Sequence, residues 1–579
     1  MKKGIPASPG IASGKVWIFQ KEKPVIPKRM IKEDEVSLEL ERFHQAIDKA
    51  KEHLSDVAKL VSENVGEDMG EIFQAHRMIL EDYLLIGAIE SSISSERINA
   101  EVAVEQNIHR FAGMLEMAND DYTRERANDL RDLGMRVIRN LLGYQGCDLS
   151  KMPEDVILFA EDLTPSDTSL IDKSKLLGFV TEVGGRTSHT AILARALEIP
   201  AVVGMGEGFT KRASNHQVAI IDGNQGDVML DPPRALSEDY EGRKVRYSLY
   251  KQELGLLRDK PATTADGIRI NLRGNIATPN DLSRVFNYGG EGVGLFRTEF
   301  LFINRQKPPT EEEQFRAYKE VIKGVGNFPV TVRTLDMGGD KSCPYLQLGP
   351  EANPFLGFRA LRLCLAKEDL FIDQLKAIYR AAVHGKVKII LPMISSLEEL
   401  WAAKDIIQKA IKFLERDRVI FNNDIPLGVM IEIPAAAIIA DLLVAEVDFL
   451  SIGTNDLTQY SLAVDRMNPN VSHFYEPLSP SLLRMMDLVV SAGKAAGKEV
   501  TMCGELAGEP EAIPLLLGLG IKELSMNAPA IPLVKDVIRR LDWPLIEGIT
   551  KEVKGYNRIE DIHKHLNKIM KDIKALDYS

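Results

Sequence analysis

DFLSIGTNDLTQYSLAVDR, residues Asp448 to Arg466, begins as an apolar run and turns abruptly polar where that run ends. Val447 to Ile452 has the length and the aromatic and branched residues of a buried strand. Asn455 and Asp456 follow directly, and Arg466 stands ten residues beyond Asp456. The same pattern recurs across the surrounding chain, where short apolar runs alternate with helical patterns. They are Ile268 to Ile276, Gly292 to Phe296, Val330 to Leu335, Val387 to Met393, Leu427 to Ile431, Val447 to Ile452, Glu499 to Met502 and Ile521 to Ser525. Eight runs in about 260 residues match the count and size of a (β/α)8 barrel. A doubly wound open sheet would read similarly, and the count favours the barrel.

In a barrel the reactive residues belong at the C-terminal ends of the strands. Those ends carry Arg297, Arg333, Glu432, Asn455, Asp456 and Cys503, with Arg466 a little beyond. Guanidinium forks bind phosphate and carboxylate bidentately, and a hard cation such as Mg2+ takes one or two carboxylates plus ligand oxygens. The set points to a small, multiply charged phosphorylated acid. Any one of these arginines taken singly reads equally as half of an ordinary ion pair; their collection at strand ends is what carries the inference. Asp336 to Lys341, a glycine-containing loop past the third run, brings Lys341 to the same rim. Cys503 reads either as an inert buried thiol or as a general acid for an enolate.

The remainder of the 579-residue chain divides by composition. From Val36 apolar residues recur at Leu40, Phe43, Ile47, Ala50, Leu54, Val57 and Val61, the spacing of a long amphipathic helix, and further helical text runs to about residue 145. Residues 30–145 hold 24 acidic and 13 basic side chains, so they account for nearly all of the net charge of −12. That surface is either simply well solvated or a docking face for a basic partner. A strand-like start, Gly4 to Phe19, is expected to pair with the β-rich runs Val156 to Ala160, Leu177 to Thr181 and Gln217 to Ile221, leaving the helices as an insertion. The organisation expected is an α/β domain over residues 1–25 and 146–232, a helical subdomain over 26–145, a linker helix over 233–260 and a (β/α)8 TIM barrel over 261–579.

The acidic balance argues against nucleic acid as a partner, and no apolar run approaches the length of a membrane span. Four scattered cysteines and an N-terminus without the apolar core of a signal peptide lead to the expectation of a cytoplasmic protein.

A second candidate centre is Gly184-Gly185-Arg186-Thr187-Ser188-His189-Thr190, followed by an amphipathic helix. A glycine turn feeding a helix N-terminus offers free N–H groups to a phosphoryl group. His189 lies in that cradle. A lone histidine is more often structural than catalytic, yet a neutral imidazole nitrogen also accepts a phosphoryl group reversibly. Thr168, on a neighbouring loop, is placed to orient the ring.

GGRTSHTAILARALEIPAVVG, from Gly184 to Gly204, resembles the phosphohistidine signature of the enzymes that handle phosphoenolpyruvate, and Asp448 to Arg466 resembles their second signature. Over nearly its whole length the chain is similar to the enzyme I family of the bacterial sugar phosphotransferase system. The resemblance implies that His189 takes the phosphoryl group of phosphoenolpyruvate and passes it to a histidine of the carrier protein HPr. It implies that Arg297, Arg333, Asn455, Asp456, Arg466 and Lys341 bind phosphoenolpyruvate, that Glu432 and Asp456 hold Mg2+, and that Cys503 protonates the enolpyruvate to pyruvate. It also implies HPr docking on the helical subdomain, with Phe73, His76, Met78, Ile79 and Asp82 in the docking helices, and a homodimer through the barrel. Pyruvate, phosphate dikinase and phosphoenolpyruvate synthase share the phosphohistidine and barrel parts but need an ATP-binding domain, and no P-loop is present. A regulatory phosphoprotein is the more distant alternative, and the intact Arg, Glu, Asp and Cys set argues against it. Because His189 must serve both the barrel and HPr, a swivel about residues 233–257 and the junction near Ser150 is expected.

Overall fold

The computed structural model describes residues 2–19, 25–64, 79–116, 121–143, 152–153, 155–163, 173–185, 190–191, 194, 199–303, 305–338, 344–346, 351–466, 468 and 471–573. His189, Thr168, Lys341, Phe73, His76 and Met78 lie outside them. The chain forms two compact units, Met1–Ser248 and Leu249–Ser579.

The first unit is built on a mixed sheet of β1 (Lys2–Lys3), β2 (Ile5–Ser8), β3 (Ile11–Phe19), β4 (Val156–Ala160), β5 (Leu176–Thr181), β6 (Ala201–Val203), β7 (Val218–Asp222) and β8 (Asp227–Leu230). β3 pairs in parallel with β4, from Lys15↔Val156 to Phe19↔Ala160, and antiparallel with β7, from Ile11↔Asp222 to Lys15↔Val218. The start of the chain is therefore stitched into strands that lie beyond residue 155, and the helices fall between them as an insertion. β4 shows why the sheet is covered on both faces. All five of its residues are buried; Val156, Leu158 and Ala160 join one core while Ile157 and Phe159 join the other, as the two-residue period of a strand requires.

The insertion holds α1 (Val36–Asn64), α2 (Tyr83–Glu96), α3 (Ala100–Glu116) and α4 (Asp121–Leu141) around a core of their own that includes Phe43, Leu54, Ile89, Ile93, Val104 and Leu133. Not all of its acidic charge faces water. Glu39 and Glu101 are buried and both engage Arg42, at 2.7 and 2.6 Å.

Helix α5 (Arg234–Gly255) carries the division between the units. Tyr240 is buried with Ile11, Ile220 and Met229 in the first unit, whereas in the second the Tyr250 hydroxyl donates to Asp536 Oδ2 at 3.0 Å.

The second unit is a closed parallel barrel of β9 (Asn271–Ile276), β10 (Val293–Phe296), β11 (Val330–Arg333), β12 (Val387–Leu391), β13 (Leu427–Ile431), β14 (Phe449–Ile452), β15 (Glu499–Met502) and β16 (Glu523–Met526). Each strand pairs with the next, and β16 returns to β9 from Glu523↔Asn271 to Met526↔Gly274, which decides between the barrel and the open sheet. Some apolar runs begin before their strands. Ile270 is fully buried, but its N–H bonds to Ala262 O at 2.8 Å outside the barrel, so burial there precedes strand pairing. Leu295, Ile390, Met430, Phe449 and Cys503 form an interior cluster, so the barrel is a packed core. Arg273 on β9 and Glu523 on β16 form a buried ion pair at 3.1 Å that links the first and last strands.

Candidate active site at the strand ends of the barrel

Arg297 follows the last residue of β10, Arg333 ends β11, Glu432 follows β13 and Cys503 follows β15. Asn455 and Asp456 lie in the first turn of the helix Thr454–Leu462, three and four residues past the end of β14. Parallel strands all point the same way, so these side chains converge on one end of the barrel.

They meet in a line of alternating charge. Arg333 Nη2 stands 2.8 Å from Glu299 Oε1 and its Nη1 3.1 Å from Asp336 Oδ2. The other oxygen of Asp336 takes Arg359 Nη2 at 2.9 Å, and that nitrogen lies 3.8 Å from Asp456 Oδ2. Arg466 Nη2 is 3.9 Å from Asp456 Oδ1. Arg333 and Arg359 are almost fully buried. Burial opposes their charge, but the neighbouring carboxylates outweigh it and hold both guanidinium groups above their ordinary values. Arg297 differs. Burial, and then the charge of Arg333, push it down against the weaker pull of Glu299, and among the described residues it forms no ion pair.

Among the described residues, four polar atoms in this group are buried without a hydrogen bond: Arg333 Nε, Arg359 Nε, Arg466 Nη1 and Asp456 Oδ1. Native proteins leave few buried polar groups unsatisfied, and three orphaned donors beside one orphaned acceptor are what a site for an anion and a cation requires.

Glu432 is 2% exposed and accepts Met393 N–H at 2.7 Å. Burial first, then Asp456 and Asp336, push its carboxyl up to about 8 against the opposing pull of Arg333. Met393 presents that N–H from a left-handed backbone, φ 58°, a conformation that non-glycine residues seldom adopt and that clusters at functional sites. Glu432 and the orphaned oxygen of Asp456 supply the hard oxygen donors that Mg2+ selects, so the residues fit that ion.

Cys503 is buried, and Ser451 Oγ donates to its sulfur at 3.5 Å. Burial pushes the thiol up, which keeps it protonated at neutral pH. Asn455 is anchored by its neighbour: Oδ1 accepts Glu505 N–H at 2.9 Å and Nδ2 donates to Glu505 Oε1 at 3.2 Å. The Tyr475 hydroxyl donates to the Asn455 carbonyl at 3.1 Å.

Sequence reasoning missed Arg359, Glu299, Ser451 and Tyr475. Arg359 follows no strand; it stands just ahead of the short helix Ala360–Ala366 and reaches the site because Gly338, at φ 103°, lets the chain pass close. A Cβ on Gly338 would lie 2.6 Å from Arg359 Cβ. Ser451 points inward from β14 and reads in sequence as one more strand residue.

In the first unit, Gly184 turns the chain after β5 with φ 108°. Thr190 Oγ1 donates to Leu163 O at 2.9 Å, and Ala191 and Ala194 are buried against the sheet. This fixes where the segment bearing His189 leaves and rejoins the described fold. Of the expected docking residues, Ile79 packs against the helical core, and Asp82 caps α2 by accepting Leu84 N–H at 2.8 Å. Tyr83 and Leu84 beside it are exposed.

The chain is an enzyme of the class that uses phosphoenolpyruvate. Three models of that class match: "PEP-utilising enzyme, N-terminal" over residues 3–126, "PEP-utilising enzyme, mobile domain" over 152–226 and "PEP-utilising enzyme, PEP-binding domain" over 251–543. More narrowly, the chain belongs to the phosphoenolpyruvate-protein phosphotransferase family. It is 44% identical to the phosphoenolpyruvate-protein phosphotransferase of Listeria monocytogenes over 97% of both chains. It is 46% identical to that of Geobacillus stearothermophilus over 96% of both, and 43% identical to that of Bacillus subtilis over 97% of this chain and 98% of the relative.

Proposed function

We propose that the protein is a phosphoenolpyruvate–protein phosphotransferase that moves the phosphoryl group of phosphoenolpyruvate to His189 and then to a histidine of HPr, releasing pyruvate. The observation that carries this reading is the run of charge from buried Glu299 to half-buried Arg466, with its three unsatisfied donors and one unsatisfied acceptor near the strand ends. Arg297, Arg333, Arg359 and Arg466 grip the phosphate and carboxylate of the substrate, and the rigid strand ends beneath them hold that geometry ready before chemistry begins. Lys341, outside the described residues, is a further cation for the substrate. A Mg2+ ion held by Glu432 and Asp456 would offset charge on the substrate oxygens.

The chemistry balances within the chain. An imidazole nitrogen of His189 attacks phosphorus; the P–N bond forms as the bond from phosphorus to the enol oxygen breaks. The electron pair left on that oxygen closes to a carbonyl while the methylene carbon takes the proton of Cys503, giving pyruvate and a thiolate that solvent reprotonates. Burial of the thiol keeps the proton available at neutral pH. Ser451 donates to the sulfur and stabilises the thiolate in the interval. In the second step the P–N bond to His189 breaks as one forms to the HPr histidine.

The helical insertion, with its excess of acidic residues, receives HPr; the barrel supports a homodimer; and the units swivel about α5 between the two phosphoryl transfers. The scattered cysteines fit a reducing cytoplasm. No described helix is long and apolar enough to cross a membrane. The test is incubation with labelled phosphoenolpyruvate, Mg2+ and HPr. Acid-labile label is expected on the protein and then on HPr; a His189→Ala variant that still labels both would overturn the assignment.

A further inference from the structure

Arg297 and Arg333 must keep a fixed spacing to share one phosphate, yet no carboxylate fixes Arg297 among the described residues. Its backbone is what is fixed. The Arg297 N–H donates to Ile276 O at 2.9 Å, and the next residue, Thr298, is fully buried and tied on two sides. Thr298 Oγ1 donates to the carbonyl of Arg333 at 3.0 Å and accepts Gln374 Nε2 at 3.1 Å. Gln374 belongs to the helix Glu368–Ala381, packed outside the strands, and has no exposed surface. Its Oε1 accepts Leu335 N–H at 2.9 Å, and its second amide hydrogen goes to the Tyr318 hydroxyl at 3.2 Å. Tyr318 in turn donates to Gln314 Oε1 at 3.1 Å, and Gln314 Nε2 to Pro309 O at 3.3 Å.

The direction of every bond in this chain is determined. A backbone N–H only donates, so the oxygen of Gln374 faces Leu335 and its amide group must donate to both hydroxyls. Each hydroxyl is then obliged to donate outward: Tyr318 to Gln314, and Thr298 to Arg333.

We infer that Gln374 is a positioning residue for the phosphate grip, a single buried amide that joins the Thr298 hydroxyl, after Arg297, to the N–H of Leu335, aims that hydroxyl at the carbonyl of Arg333, and so sets the spacing of the two strand ends. The inference rests on the reading of Arg297 and Arg333 as phosphate-binding groups.

Gln374→Glu tests it with almost no change of shape. A carboxylate accepts where the amide donated, and even when protonated it supplies one donor where the amide supplied two. Thr298 or Tyr318 must then turn its hydroxyl inward, and the bond to the Arg333 carbonyl is the one exposed to loss. Thr298→Val removes that bond directly, and Thr298→Ser keeps it. In the full-length protein, Gln374→Glu and Thr298→Val are each expected to raise the KM for phosphoenolpyruvate on the order of ten- to hundredfold, since supporting partners and sub-ångström placement have effects of that size. Thr298→Ser is expected to restore it. Transfer of label from phosphorylated HPr back to His189, which does not use the barrel, should keep its wild-type rate. A general folding defect would slow both half-reactions together, and that result, or wild-type KM in both variants, overturns the inference. If Gln374→Glu fails to fold, the Thr298 pair decides alone. Arg333→Ala is the control on the underlying reading: a normal KM there would remove the site assignment itself, whereas a lost KM beside unaffected Gln374 and Thr298 variants removes only the positioning role.

Discussion

Asp336 and Arg359 form a buried pair, Oδ1 to Nη2 at 2.9 Å, and because the other oxygen of Asp336 takes Arg333 at 3.1 Å, one carboxylate orders two guanidinium groups. A buried ion pair is held in place by the cost of breaking it, about 3–5 kcal/mol when one partner is removed. Arg359→Met is therefore expected to lose roughly two orders of magnitude in kcat/KM for phosphoenolpyruvate, through a displaced Asp336 as well as a missing cation. Steady-state pyruvate release measures it, and an unchanged value would take Arg359 out of the site.

Cys503 gives a pH prediction whose sign follows from burial. Its thiol is pushed above the ordinary 9.0, so the proton-donating form persists through pH 8 and the alkaline, falling limb of the profile for pyruvate formation should lie above pH 9. Cys503→Ala should release pyruvate slowly at every pH and lack that limb. A limb near pH 7 in the unaltered protein, or normal turnover in the variant, would remove the thiol from the reaction.

The two carboxylates at the strand ends predict a metal dependence confined to one half of the cycle. With Mg2+ chelated, or in Glu432→Gln and Asp456→Asn, phosphorylation from phosphoenolpyruvate should collapse by at least about a hundredfold. Back-transfer from phosphorylated HPr should persist. Titration calorimetry with Mg2+ should show the same loss of binding in both variants.

Stability should carry a small acid-sensitive contribution from the helix Glu311–Gly324. Glu313 takes a hydrogen bond from Arg305 and also accepts Thr310 N–H at 2.7 Å in a capping box, and these, the Arg305 bond first, hold its carboxyl at about 2. A depressed carboxyl stabilises the fold above the ordinary value of 4.5, and the contribution fades as pH falls from there toward 2. The pair is solvent-exposed, so screening limits the effect, and Glu313→Gln should cost about 1 kcal/mol at neutral pH and progressively less as pH falls toward 2. Denaturant titrations at both pH values measure it.

Distance labels beside Ser188 and on the helix Leu397–Arg416 test the swivel. Two populations that exchange weight when phosphoenolpyruvate is added are expected. A single distance unmoved by substrate would sink the motion.

Much of this was legible because strands and chemistry share a boundary. Leu427–Ile431 and Glu499–Met502 are bounded in sequence as they are in space, and Glu432 and Cys503 step directly off their ends. Ile268 and Ile270 misled by a few residues because apolar character reports burial and not strand pairing. Arg359 was hidden for a different reason: it reaches the site through the backbone of Gly338 and the carboxylate of Asp336, both tertiary relationships without a local period. Gln374 was hidden as completely, since a glutamine on an outer helix advertises nothing about the strand ends that it bonds.

The pairing of Arg273 with Glu523 spans 250 residues of chain and has a consequence for biosynthesis. At roughly 5–20 residues per second, a ribosome needs about 12–50 s to travel from one partner to the other. For that time β9 has one free edge and the barrel cannot close. The site is thus assembled last of all, and a message cut short between the first barrel strand and the last yields an open, aggregation-prone sheet in place of a weakened enzyme.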